Sequence, residues 1–207
     1  MNTESDPGPM LVRFATDTDV DAVAALHATR IAEGFLVTLG PAFLRRLYRR
    51  IVRSSQAFVL VADEPAGPAR ARQVRGFIAV ADNTGALYRE FLLHDGVAAA
   101  IGATRGVLRA PTKVWETLAY GLRDGAGPHG AEVLATAVAA TSVQRGVGTR
   151  LVRHAVEEIR RRGATSARVV TAVGNVHAVR TYERGGFRAD GIDEVHRRVP
   201  QQLLVWP

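Results

Sequence analysis

The hydrophobic pattern divides the chain into short, readable blocks. Leu11-Val12-Arg13-Phe14 predicts a first strand. Thr16-Asp17-Thr18-Asp19 supplies helix-capping residues, and Val20, Val23, Ala24, Leu26 and Ile31 follow at helical spacing. Gly40-Pro41 opens a second helix with proline in its first turn. On it Phe43, Leu44, Leu47, Tyr48, Ile51 and Val52 form an apolar stripe, while Arg45, Arg46, Arg49, Arg50 and Arg53 fill the other face, read as solvated. Ala57 to Ala62 is a buried-strand run, residues 63–72 form the turn, and Val74 to Val80 is the returning strand of an antiparallel hairpin.

Residues 84–128 predict two or three short helices, broken up by Gly96, Gly102, Gly106 and Pro111. A segment this long between two strands is usually functional. Beyond it the blocks alternate: strand (Glu132 to Ala139), helix (Gly146 to Arg162), strand (Ala167 to Val173), helix (Asn175 to Arg184) and a final strand (Leu203 to Trp206). Gly163 stops the first of these helices and Gly185-Gly186 closes the second. The alternation argues for an α/β layer. A length of 207 residues fits one core, so residues 10–207 form a single domain behind a polar, flexible tail at 1–9.

Composition narrows the function classes. Hydrophobic residues make up 47% of the chain, yet no apolar run is long enough for a membrane span. The start has no basic region or apolar stretch of a secretory signal. The absence of cysteine excludes disulfides, thiolate metal sites and a cysteine nucleophile, and it fits the cytoplasm. No His and acidic residues have metal-ligand spacing, so no metal is expected. The net charge of +7 is carried almost wholly by arginine. Its one tight run, Arg160-Arg161-Arg162, has no interleaved aromatics and reads as a helix C-terminus rather than a nucleic-acid patch.

Candidate chemistry begins at Val138-Ala139-Ala140-Thr141-Ser142-Val143-Gln144-Arg145-Gly146-Val147-Gly148-Thr149, which passes from strand to helix. Two glycines one residue apart let backbone approach a ligand, and the amides of a first helical turn, with the helix dipole, suit a phosphate. Arg145 adds charge at the rim. Position 151 is Leu and Val173-Gly174 ends the next strand, so this is not a Rossmann fingerprint; Gly-Lys-Ser/Thr is absent, so it is not a Walker turn.

A second motif runs from Asn175 to Phe187, with the spacing Asn-x-x-Ala-x-x-x-Tyr-x-x-x-Gly-Phe. On a helix Ala178 and Tyr182 stack, with Asn175 near the start. Alone, this reads more readily as a core tyrosine on an amphipathic helix. In order and separation the two motifs together resemble motifs A and B of the GNAT superfamily of N-acetyltransferases. The clear resemblance covers roughly residues 130–187, and residues 11–52 are similar to the family's start.

The resemblance implies an α/β, single-domain GNAT-like fold. Its mixed central sheet would splay between strands 4 and 5, with helices on both faces and a helical insertion, residues 84–128, before strand 4 as an acceptor-side cover. It implies acetyl-CoA as acyl donor in that gap. The pyrophosphate would lie on Arg145, Gly146, Val147, Gly148 and Thr149 with Gln144 beside it, and the pantetheine along Ala137 and Val138. Asn175 would touch the cofactor arm, Ala178 would leave room, and Tyr182 would stand near the sulfur as general acid. The family's Arg/Gln position falls on Val143, and Ala139 and Ala140 stand where a polar residue and proline are frequent, which points to weaker pyrophosphate contact.

Amine attack on a thioester needs positioning, an oxyanion donor and proton transfer. Glu132 is the candidate base, or else a strand-edge carboxylate facing water; His129 and His177 are further titratable groups. The expected reaction is acetylation of a primary amine of a small molecule. A protein or peptide amine, or an acyl-CoA-binding regulatory module without turnover, are the alternatives. No nucleic-acid or membrane partner is expected, and the reading leaves room for a homodimer.

Overall fold

A computed structural model of the chain describes residues 10–31, 35–66, 71–102, 130–143, 145–196 and 199–207. The first strand, β1 (Leu11–Phe14), leads through a 3-10 turn (Asp17–Asp19) into α1 (Val20–Arg30). The Asp19 carboxylate accepts the Thr16 N–H at 2.8 Å and fixes that entry. A short helix, α2 (Phe35–Thr38), precedes α3 (Pro41–Arg53). Pro41 opens α3, and Leu44, Tyr48 and Ile51 are its buried residues. Three of its arginines meet carboxylates: Arg50 with Asp95 at 2.7 Å, Arg53 with Asp17 at 2.5 Å and Arg45 with Asp21 at 3.8 Å.

The hairpin strands β2 (Ala57–Ala66) and β3 (Ala71–Ala81) run further than the apolar pattern predicts. They pass through the expected turn because its acids are neutralised within the fold. Asp63 is fully buried between Arg13 at 2.7 Å and Arg72 at 2.5 Å, and Glu64 is buried against two further arginines. The next helix, α4 (Thr84–Gly102), is one piece, not two or three short ones. A single glycine costs a helix only about 1 kcal/mol, so Gly96 does not break it. The rest of the expected insertion and His129 lie outside the described residues.

The second half supplies β4 (Ala131–Val138), a 3-10 turn (Ala140–Ser142), α5 (Val147–Arg161), β5 (Ala167–Ala172), α6 (Val176–Arg184), β6 (Arg188–His196) and β7 (Val199–Trp206). The strand β6 has no counterpart in the sequence reading. It sits at the sheet edge with Arg188 to Ile192 exposed, so it carries no apolar alternation. The seven strands form one sheet in the order β1-β2-β3-β4-β5-β7-β6. The β4–β5 pair is parallel and the remaining pairs are antiparallel.

Each face of the sheet carries a core. On one, α5 buries Val147, Leu151, Val152, Ala155 and Ile159 beside Tyr182, Phe187 and Trp206. On the other, Val20, Val23 and Ala24 of α1 meet Leu44, Tyr48 and Ile51 of α3 and Leu87 of α4. The arginine run at the end of α5 is bound into the fold. Arg160 lies 4.8 Å over the Trp206 ring, Arg161 and Arg162 both reach Glu158 at 2.7 Å, and Arg162 also reaches Asp82 at 2.8 Å.

The feature that positions the site is a break in pairing. β4 and β5 pair only at Ala131↔Ala167, Glu132↔Arg168 and Val133↔Val169. Beyond that point β4 stays with β3 as far as Val138, and β5 stays with β7 as far as Ala172. The sheet therefore opens between them.

Candidate active site

The direction in which β4 presents its backbone follows from one bond. Ala139 N–H donates to Arg75 O at 2.7 Å, which marks residue 139 as turned toward β3. Peptide groups alternate sides along an antiparallel strand. In the observed register, Gly76↔Val138 and Ile78↔Thr136, the N–H and C=O of Thr136 and Val138 therefore face the opening. Ala137 faces β3 with its backbone and is buried on the α1–α3 side with its side chain. The sequence reading sets Ala137 along the donor arm, but its backbone faces β3 and it is the backbone of Thr136 that faces the opening. The Val138 carbonyl accepts the Arg30 Nε at 3.1 Å, so the end of α1 borders the opening.

A bulge sets which side chains accompany these groups. The register shifts between Val80↔Val133 and Ala79↔Ala135, leaving Leu134 as an extra residue. Val133 packs into the α5 core, whereas Leu134 and Ala135 both pack toward α1 and α3. The alternation then resumes, and Val138 packs again toward α5.

One end of the opening is the turn into α5. Gly146 has φ +75°, and a Cβ there would meet nothing within 4 Å, so its backbone angle is what requires glycine. Gly148 is different: a Cβ there would lie 3.0 Å from Thr181 Cγ2, so this glycine lets α6 approach α5. The helix start is seated on the sheet at Gly76, where a Cβ would come within 3.1 Å of Ala137 O and of Leu151 Cδ1. Arg150 N–H bonds Gly146 O at 3.0 Å, so the amides of Val147, Gly148 and Thr149 belong to the first turn, which has no partners within a helix. Val147 turns its side chain into the core, and Val143 is 41% exposed. Gln144 lies outside the described residues. Arg145, expected to add charge at the rim, has its guanidinium paired with Glu64 at 2.9 Å.

Along the α6 side, Asn175 is the cap of its own helix, its Oδ1 accepting the Ala178 N–H at 3.1 Å. Among the described residues, no hydrogen bond engages the side-chain amide N–H groups of Asn175. Ala178 packs partly buried against the core. Tyr182 is buried, edge-on to Phe187 with centroids 5.6 Å apart. Burial pushes its hydroxyl up to about 12, and the neighbouring Thr136 hydroxyl pulls it partly back. That contact falls short of a formed hydrogen bond. Thr136 Oγ1 stays buried without a hydrogen-bond partner among the described residues.

The closed end of the opening holds Glu132. Its Oε2 accepts from Arg168 Nη2 and from Thr84 Oγ1, each at 3.0 Å. Glu132 projects from the sheet face opposite Ala131 and Val133, on the α4 side, whereas Tyr182 stands on the α5 side. Tyr88, one turn after Thr84, has its hydroxyl pushed up to about 12 by burial and by the Glu132 charge. His177 is exposed on α6. Among the described residues no group of three His, Cys, Asp or Glu could hold a metal.

Sequence reasoning missed Arg30, Glu64, Thr84, Tyr88, Thr136 and Arg168. Some had a visible signal: Arg168 interrupts an apolar strand, and Thr84 and Tyr88 share one helix face. The others matter through contacts between residues dozens of positions apart.

A parallel strand pair that parts after three residues, with the unpaired amides of a helix start at its open end, is an arrangement that an extended donor carrying phosphate would fit. The sequence profile of the acetyltransferase (GNAT) family matches residues 64–187, and the chain belongs to that family. It is an N-acetyltransferase with acetyl-CoA as donor. Solved structures share the fold. A GCN5-related N-acetyltransferase from Kribbella flavida is 18% identical with a TM-score of 0.59, covering 96% of this chain and 97% of its own. Aminoglycoside acetyltransferase AAC(6')-Ib, in complex with coenzyme A and kanamycin, is 17% identical with a TM-score of 0.56, covering 95% and 94%. The ribosomal-protein-S18-alanine N-acetyltransferase from Escherichia coli is 12% identical with a TM-score of 0.55, covering 96% and 94%. No curated protein sequence matches the chain. No helix among the described residues is long and apolar enough to cross a membrane.

Proposed function

We propose that the chain transfers the acetyl group of acetyl-CoA to a primary amine of a small molecule by direct attack on the thioester. The observation that carries this reading is the opening between β4 and β5, with Thr136 and Val138 turned into it. The amides of Gly146 to Thr149 hold the pyrophosphate. The peptide groups of Thr136 and Val138 pair with the donor arm as a missing strand would, and one of their N–H groups donates to the thioester oxygen as charge develops there.

Glu132 takes a proton from the acceptor's ammonium group, directly or through one water, and so frees the lone pair of the amine that attacks. As the amine nitrogen bonds the carbonyl carbon and the carbon–sulfur bond breaks, Tyr182 gives its proton to the leaving thiolate, and the second nitrogen proton, lost as the amide forms, passes through water to restore the Tyr182 phenol. A phenol whose pKa is raised to about 12 is protonated at neutral pH and ready to donate. Glu132 and Tyr182 flank the opening from opposite faces, which suits separate proton-accepting and proton-donating roles. Acetyl-CoA is available in the cytoplasm, which we take as the place of action.

Structural neighbours include enzymes whose ligands are aminoglycosides and one named for a protein amine. The small-molecule reading is tested by thiol release with a panel of small amines and of peptides, with mass spectrometry of the products. Acetylated small amines support it. Acetylated peptides alone would reassign the acceptor. Acetyl-CoA binding with no thiol release from any amine would make the chain a binding module.

A further inference from the structure

Glu64 stands near the end of β2 and is 5% exposed. Its Oε1 lies 2.9 Å from Arg145 Nη2, its Oε2 accepts from Arg145 Nη1 at 3.2 Å, and Arg75 Nε lies 3.4 Å from Oε2. Arg145 is the residue before Gly146. Arg75 is the extra residue where the β2–β3 register shifts from Ala62↔Gly76 to Asp63↔Val74, and its carbonyl holds Ala139 N–H at 2.7 Å. One buried carboxylate thus joins β2, the bulge that fixes the end of β4, and the turn leading into α5. The adjacent acid, Asp63, is already paired with Arg13 and Arg72.

Among the described residues, Ser142 N–H bonds Ala139 O at 2.9 Å at the start of the turn, but the part nearer α5 is held less firmly. Its backbone bonds Val143 N–H to Ala140 O and Arg145 N–H to Ser142 O are both 3.4 Å, at the weak end of the range. A fork of two charge-assisted contacts from Arg145 to a buried carboxylate is the stronger restraint. From this geometry we propose that Glu64 is a positioning residue of the donor site and that Arg145 is a tether rather than a phosphate ligand. By clamping Arg145, Glu64 fixes where the amides of Gly146 to Thr149 point. The inference rests on the donor site proposed above.

The two roles of Arg145 predict effects of opposite sign. If the arginine were a phosphate ligand restrained by the glutamate, Glu64→Gln would release a cation and tighten binding. If it is a tether, Glu64→Gln loosens the turn and weakens binding although a negative charge has been removed. Calorimetric titration with coenzyme A of Glu64→Gln, Arg145→Gln and the double variant decides. The expected result is a rise in Kd of about three- to tenfold in each single variant, with the double no worse than the weaker-binding single. The acceptor KM stays unchanged. In the free protein, amide exchange at residues 145 and 150, whose N–H groups bond Ser142 O and Gly146 O, speeds up in both singles while Leu151 to Ile159 keep their protection.

Tighter or unchanged coenzyme A binding by Glu64→Gln, or effects that multiply in the double variant, overturns the proposal. If Glu64→Gln does not fold, Arg145→Gln decides through exchange alone, since its side chain is half exposed, and unchanged exchange at residues 145 and 150 overturns the tether. A parent protein that does not bind coenzyme A would defeat the donor-site reading, while the exchange measurement still tests the clamp.

Discussion

Gly148 on α5 and Thr181 on α6 stand so close that a Cβ on the glycine would lie 3.0 Å from the threonine methyl. The second glycine of the phosphate turn is therefore also a packing residue. In Gly148→Ala, a gain of up to about 1 kcal/mol in helix propensity competes with overpacking of about 1–3 kcal/mol. A lowered melting temperature is expected. In a Thr181→Ser background the methyl is gone, and the same substitution should leave the melting temperature unchanged or raised. Equal shifts in both backgrounds would mean that Thr181 is not the constraint.

Tyr182→Phe keeps the ring against Phe187 and removes the hydroxyl beside Thr136. Turnover should fall by about one to two orders of magnitude with acetyl-CoA affinity little changed. Because burial raises the hydroxyl to about 12, the parent should show no loss of activity from this group between pH 7 and 10. A variant within about twofold of the parent would make Tyr182 a packing residue only.

Glu132→Gln should lower turnover about a hundredfold if Glu132 takes the ammonium proton. The amide still accepts from Thr84 and Arg168, so acetyl-CoA affinity should hold. Raising the pH, which supplies neutral amine, should recover part of the lost rate. A loss of the same size at every pH would point to a structural carboxylate.

His27 and Tyr48 make the fold acid-sensitive. Nδ1 of His27 lies 2.5 Å from the Tyr48 hydroxyl inside the α1–α3 core, and burial pulls the imidazole down from 6.5 to about 4. Between those values the unfolded chain binds the proton and the folded chain does not. The contribution is therefore intact above about pH 6.5 and is lost as pH falls toward 4, by about 3 kcal/mol at most. Urea midpoints across this window test it. The double variant His27→Phe/Tyr48→Phe should flatten the slope, and an unchanged slope would assign it to other groups.

Legibility in the sequence followed the range of the interaction. Elements set by their own neighbours were readable: α3 from Pro41 and its apolar stripe, α5 from its glycines, α6 from Asn175 and Gly185. The family resemblance located the opening. Local periodicity could not, because the opening depends on where Val133 last meets Val169. The bulge at Leu134, which puts Thr136 rather than Ala137 at the open edge, leaves no periodic trace. β2 ran past its expected end because the arginines that neutralise Asp63 and Glu64 come from β1, β3 and the turn before α5. Arg145 read only as charge at the rim because its partner is 81 residues away.

The most direct test of the donor site is an amide-resolved NMR titration of the protein with acetyl-CoA. Saturating donor should shift and protect the N–H groups of Thr136, Val138 and Val147 to Thr149. Ala137 and Ala139, turned toward β3, should keep the protection they already have. Saturable binding that leaves Thr136, Val138 and the start of α5 unchanged would contradict the account.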